Sequence, residues 1–158
     1  MEIMDSFLPN SDEIFDEVRG IWVAATPEEQ VRQHLLNRMI HALHYPKQLI
    51  AVEKELKELP HLSSSYLPLR RIDVLCYGKD IHPAFPLYPL LLIECKKEAI
   101  DAKAIDQLTG YNSHVKAYFI ALANREEEHF GYFDRKTMKY VFHAGLPAYQ
   151  DLLAWLKR

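Results

Sequence analysis

Glu94 and Lys96 stand two apart at the end of an aliphatic run, Leu90 to Ile93, that follows Pro89. Such a run is what a strand buried on both faces requires, in a sheet with helices on each side. Residues two apart on a strand share a face and lie roughly 6–7 Å apart. A carboxylate and an ammonium therefore project together beside the apolar surface of Leu90 and Leu92. Upstream, residues 70–77 read as another strand, with Ile72, Val74 and Cys76 on one face and Arg71, Asp73 and Leu75 on the other. A carboxylate among such residues is costly to bury unless it is paired or binds a cation. A divalent ion shared by Asp73 and Glu94 removes that cost, because Mg²⁺ takes one or two carboxylates plus waters. The backbone carbonyl of Cys95 offers a further oxygen, and Lys96 stands where it can neutralise charge growing on a phosphate. The plainer alternative is an ion pair of Asp73 with Lys96 or Arg71 at a strand end.

The elements that must position these groups follow in order. Residues 1–12 read as a loose tail ahead of one domain over 13–158. Ile14-Phe15-Asp16 and Ile21-Trp22-Val23, joined through Val18-Arg19-Gly20, predict a hairpin. Thr26-Pro27-Glu28-Glu29 opens a helix: threonine at the cap, proline at the first turn, and Glu29 at the capping-box position. That helix is expected to reach about His44, with Val31, Leu35, Leu36, Met39, Ile40 and Leu43 as its apolar face. Residues 49–56 read as a half-buried strand, 60–68 as a loop, and 78–89, with three prolines, as another loop. A helix over 101–114 places Gln107 and Tyr111 at i,i+4 on one face, together with Ala104. Gln107 there can hydrogen-bond an attacking water or the lysine, or it is simply a surface residue beside a core tyrosine. A strand at 117–123, a hairpin of 129–133 with 138–142, and a final amphipathic helix opened by Leu146-Pro147 complete the chain.

Composition limits the functions available. The 158 residues carry a net charge of −3, so any nucleic-acid grip must be local or shared with a partner. Arg70-Arg71, Lys96-Lys97 with Lys103, and Arg135-Lys136 are the local basic candidates. No run approaches a membrane span, and Met1-Glu2-Ile3-Met4-Asp5 lacks the basic start of a signal peptide, so a cytoplasmic location is expected. Cys76 and Cys95 read as reduced core residues on the face opposite the acids. His41 and His44 lack the companions of a zinc site. No stretch matches the Walker A pattern, so ATP-driven translocation is not expected of this chain.

Arg71-Ile-Asp-Val74, Leu92-Ile-Glu-Cys-Lys96 and Asp106-Gln-Leu-Thr-Gly-Tyr-Asn112, taken in order, resemble the PD-(D/E)xK restriction-endonuclease-like superfamily. More narrowly they are similar to the nuclease domain at the N-terminus of the type I restriction enzyme R subunit, in a short stand-alone form. Residues 26–33, 44–47 and 50–54 share that likeness, which spans roughly 14–145. The resemblance implies an α/β (α+β by some schemes) fold, with a mixed central sheet flanked by helices and a β-hairpin near each terminus. It implies Asp73 and Glu94 as metal-binding acids, Lys96 as catalytic lysine, and Gln107 and Tyr111 as the QxxxY pair. It also implies an acid on the first helix, Glu28 or Glu29. Glu28 is favoured because it shares a face with Val31 and Leu35, whereas Glu29 is explained as a cap. Glu53, in the matching segment 50–54, is a secondary candidate. Ala123-Asn124-Arg125 departs from the Thr-Asn-Gly of many relatives.

The implied activity is Mg²⁺- or Mn²⁺-dependent hydrolysis of a phosphodiester by metal-activated water, with DNA as the expected substrate and a protein partner as a source of specificity. The competing expectation is a catalytically silent nuclease fold kept as a binding module or subunit. A small-molecule enzyme has little support, since no glycine-rich phosphate loop is present.

Overall fold

The computed structural model describes residues 12–62, 67, 68 and 70–157. The expected loose tail thus lies outside the described residues, except for Asp12.

Strand β5 (Leu87–Cys95) is nearly continuous in apolar side chains because both of its faces are covered. It lies third in a six-stranded sheet of order β3-β4-β5-β6-β7-β8, formed by β3 (Ile50–Glu55), β4 (Arg71–Lys79), β5, β6 (Phe119–Ala123), β7 (Glu128–Asp134) and β8 (Lys139–Ala144). The β5–β6 pair is parallel and the other pairs are antiparallel. The expected N-terminal hairpin forms as a separate two-stranded sheet, β1 (Glu13–Asp16) with β2 (Ile21–Ala24), turning through Gly20 at φ +68°.

Helix α1 (Pro27–His41) starts as its sequence dictates, with Thr26 Oγ1 accepting the Glu29 N–H at 3.1 Å. It stops before His44, which adopts a left-handed φ of +59°. Helix α2 (Ala102–Val115) is capped by Asp101, whose carboxylate accepts the Ala104 N–H at 2.8 Å. Helix α3 (Tyr149–Leu156) begins after Pro147, two residues beyond the expected opening. Val31, Leu35, Leu36 and Met39 of α1 bury their face against the sheet, with Leu152 of α3 in the same cluster as Leu36, Val74, Cys76, Leu91 and Ile93. Ala104, Leu108, Tyr111 and Val115 of α2 cover the other face, against Leu75, Leu92, Ile120 and Leu122.

Leu36 is fully buried in the first cluster, so Leu36→Ala is expected to cost about 2–5 kcal/mol in chemical denaturation. The same change at exposed Asn37 is expected to stay within about 0.5 kcal/mol.

Three expectations need correction. Residues 78–89 are only partly a loop, because the β4–β5 ladder continues through Gly78↔Tyr88 and Lys79↔Leu87. Pro89 is tolerated there because the register shifts between Cys76 and Tyr77, opposite it. Ile72 packs with Leu56 and Leu59 in the α2-side cluster instead of following Val74 and Cys76. The cause lies in β3, where Glu53 takes φ +54° and the pairing skips from Val52↔Val74 to Lys54↔Ile72. Cys95 is half-buried, not fully buried. Both cysteines are free and associate with the α1-side cluster, as alternation requires.

Candidate active site

The site forms where β4 and β5 come apart. The last paired residues at this end are Val74 and Ile93. One step further, Asp73 and Glu94 face each other across the strands, and the Asp73 carboxylate takes over as partner of the β5 backbone. Its Oδ2 accepts the Cys95 N–H at 2.9 Å, while its Oδ1 accepts Arg32 Nη2 at 3.3 Å. Two donors from different elements thus fix both oxygens of Asp73, leaving a lone pair on each.

Glu94 is buried, its Oε1 has no hydrogen-bond partner among the described residues, and its Oε2 lies 4.0 Å from Arg70 Nη2. Burial first, and then the neighbouring Asp73 carboxylate, push its pKa up to about 9, against the pull of Arg70 and Lys96. Lys96 is half-buried, its N–H donates to the Ala123 carbonyl at 2.8 Å, and its ammonium is close enough to act on Glu94. Lys97 turns away, with Nζ 3.8 Å from Glu28 Oε1. On α2, Tyr111 is buried, its hydroxyl has no partner among the described residues, and Arg70 stacks on its ring at 4.1 Å. Gln107 is exposed and makes no side-chain hydrogen bond among the described residues.

Around Asp73 runs an ion-pair network that the sequence did not announce. Arg32 Nη1 meets Glu29 Oε1 at 3.1 Å and Arg32 Nη2 meets Glu53 Oε1 at 3.1 Å. Burial works against this guanidinium, yet Glu29, Asp73 and Glu53 raise its pKa above the ordinary arginine value. Arg19, from the N-terminal hairpin, joins Glu29 at 2.8 Å and lies 3.8 Å from Glu53. Its Nε also binds Asp16, which is fully buried and accepts Gln33 Nε2 at 2.9 Å. Burial opposes ionisation of Asp16, but Arg19 and Gln33 hold its carboxyl below the usual range. The visible signal for Arg32 was a charge placed between Val31 and Leu35 on an otherwise apolar helix face.

The first-helix acids point opposite to expectation. Glu28 is exposed beside Lys97, whereas Glu29 turns inward because Arg19 and Arg32 recruit its carboxylate. Nor is Glu29 spent as a cap, since the Thr26 N–H bonds the Ala24 carbonyl. The alternative of a plain Asp73 ion pair with Lys96 or Arg71 does not form among the described residues. The partner of Asp73 is Arg32, while Arg71 lies 3.6 Å from Glu55 and 3.8 Å from Glu53.

Among the described residues, no group of three or more His, Cys, Asp or Glu side chains is placed to hold a metal ion. The donor set at Asp73 and Glu94 nonetheless fits a hard divalent cation of the Mg²⁺ kind. Two carboxylates and the nearby Cys95 backbone would offer it oxygen ligands, and Glu94 Oε1, unpartnered among the described residues, lacks a partner that such an ion would provide.

Fold and site together define an α+β domain with opposed acids and an adjacent lysine at the open end of two sheet strands. The chain belongs to the family described as type I restriction enzyme R protein N terminus, which matches residues 27–147. The hairpin that carries Arg19 precedes the matched span. No curated protein and no solved structure matches the chain. Among the described residues, no helix is long and apolar enough to cross a membrane.

Proposed function

We propose that this chain is a Mg²⁺- or Mn²⁺-dependent phosphodiesterase, a DNA endonuclease acting by attack of water on phosphorus. The observation that carries this reading is the buried Glu94 carboxylate, with one oxygen unpartnered, directly across from Asp73 and two residues before Lys96. Family membership supports it, since the family takes its name from the R protein of a restriction enzyme. Asp73 and Glu94 would hold the cation, with the Cys95 carbonyl as a further oxygen. The chemistry such an ion supplies when bound is Lewis acidity toward the phosphate and a lowered pKa for water. Arg32 and the Cys95 N–H fix Asp73 in one orientation, so its oxygens need no reorganisation. Lys96, anchored through its backbone to Ala123, brings positive charge to the developing phosphorane oxygens. With a net charge of −3, the chain grips nucleic acid locally or shares the grip with a protein partner. The cytoplasm is the compartment that fits two free cysteines.

One observation favours the silent binding module instead. Arg32 already sits on Asp73, and Arg70 flanks Glu94, so cations of the chain itself answer part of the acids' charge. Nicking of supercoiled plasmid and cleavage of single strands, with Mg²⁺ or Mn²⁺, separates the readings. Wild type is expected to cut, and Asp73→Asn, which keeps an oxygen for the Cys95 N–H, is expected to fall to the level of an EDTA control. Equal cutting by both proteins would reveal a contaminant. No cutting by either, with or without partners, would establish the silent module.

A further inference from the structure

Resting on the phosphodiesterase reading, we infer that Arg70 is a phosphate-binding residue of this site, offering its guanidinium to non-bridging oxygens of the nucleic-acid backbone. Arg70 immediately precedes β4, three residues before Asp73. Its guanidinium carbon lies 4.1 Å from the centroid of the Tyr111 ring, and Nη2 lies 4.0 Å from Glu94 Oε2. The stack holds the guanidinium plane in place, while the side chain stays 42% exposed, so its other side is open to a ligand. At 4.0 Å the Glu94 contact is longer than a hydrogen bond, and Glu94 Oε1 is left without a partner. A guanidinium serving only as counter-ion to Glu94 would close on that orphaned oxygen.

The neighbouring cations are committed elsewhere. Arg32 is buried on Glu29, Glu53 and Asp73, and Arg19 is taken by Asp16 and Glu29. Arg71 lies against Glu53 and Glu55, and Lys97 against Glu28. Among the described residues, Arg70 is therefore the guanidinium that is both beside the acid pair and open to solvent. A planar fork held at that position matches the geometry of a phosphodiester, which a lysine meets only as a point charge. Lys96 and Arg70 would then approach the phosphate from two sides, Lys96 from the β5 strand end and Arg70 from the Tyr111 face.

The test uses the full chain and a fluorescein-labelled DNA duplex, followed by anisotropy in EDTA from 50 to 200 mM NaCl, together with Mn²⁺ titration and cleavage in Mg²⁺. Arg70→Gln is expected to weaken duplex binding about tenfold and to reduce the slope of log K against log salt by about 0.7–0.9, the loss of one phosphate contact. Cleavage is expected to fall about 10²-fold, with Mn²⁺ affinity unchanged. Arg70→Lys is expected to restore the salt slope but not the cleavage rate. Unchanged duplex binding and slope in Arg70→Gln would overturn the inference, and a change in Mn²⁺ affinity with no change in duplex binding would assign Arg70 to Glu94 instead. Wild type that binds duplex but never cleaves would remove the nuclease reading alone, because the salt slope still decides Arg70. Wild type that does not bind duplex would overturn both.

Discussion

Lys96→Ala is expected to lower divalent-dependent cleavage by about 10²–10³-fold, roughly 3–4 kcal/mol of transition-state stabilisation. Divalent binding by Asp73 and Glu94 is expected to survive the change, because no ligand oxygen is lost. The comparison that gives the result meaning is Lys97→Ala. Adjacent in sequence and equal in charge, Lys97 is exposed and lies 3.8 Å from Glu28, whereas Lys96 is half-buried and acts on Glu94. An exposed pair of that kind is worth at most about 1 kcal/mol, so Lys97→Ala is expected to cost about fivefold at most. Plasmid nicking with matched protein preparations measures both. Equal losses in the two variants would show that the site responds to net charge and not to the placement of Lys96.

Glu94 is expected to make the fold less stable as pH rises. Its pKa stands near 9 in the folded chain against an ordinary value of 4.5, chiefly because of burial and then because of Asp73. A group whose folded pKa is raised contributes its stability fully below the unfolded pKa and loses it as pH climbs through the folded one. Between pH 4.5 and about 9 the folded state therefore holds a proton that the unfolded state has released. The resulting slope approaches about 1.4 kcal/mol per pH unit. Glu94→Gln keeps the shape and removes the titration. Urea denaturation in EDTA, at intervals from pH 5 to 9, is expected to show the variant gaining on wild type with every step. Parallel profiles would mean that Glu94 is not held in the buried state described here.

Much of the fold was legible because its signals are local. Thr26-Pro27 and Asp101 mark where α1 and α2 begin, and the aliphatic run 90–93 identifies the covered strand. Alternation from Asp73 and Glu94 also placed the cysteines on the other face, since the one register shift in this pair falls beyond Cys76. What escaped the sequence depends on non-local charge. Helix periodicity puts Glu28 on the face of Val31 and Leu35, but Arg19 from a separate hairpin and Arg32 from the next turn draw Glu29 inward instead. The left-handed Glu53 lies inside a strand pattern whose residue types give no hint of a break, so the swing of Ile72 to the other cluster was invisible. Pro89 misled for the opposite reason: it reads as a loop residue until a shift in the partner strand makes room for it.

Asp73 and Glu94 are expected to hold one divalent cation between them, and anomalous scattering from a Mn²⁺-soaked crystal reads this out without any activity assay. A single strong peak is expected, bonded to an oxygen of each carboxylate, with the formerly unpartnered Glu94 Oε1 among its ligands, and no such peak in Asp73→Asn. A Mn²⁺-saturated crystal with no peak between the two acids would overturn the shared-cation site.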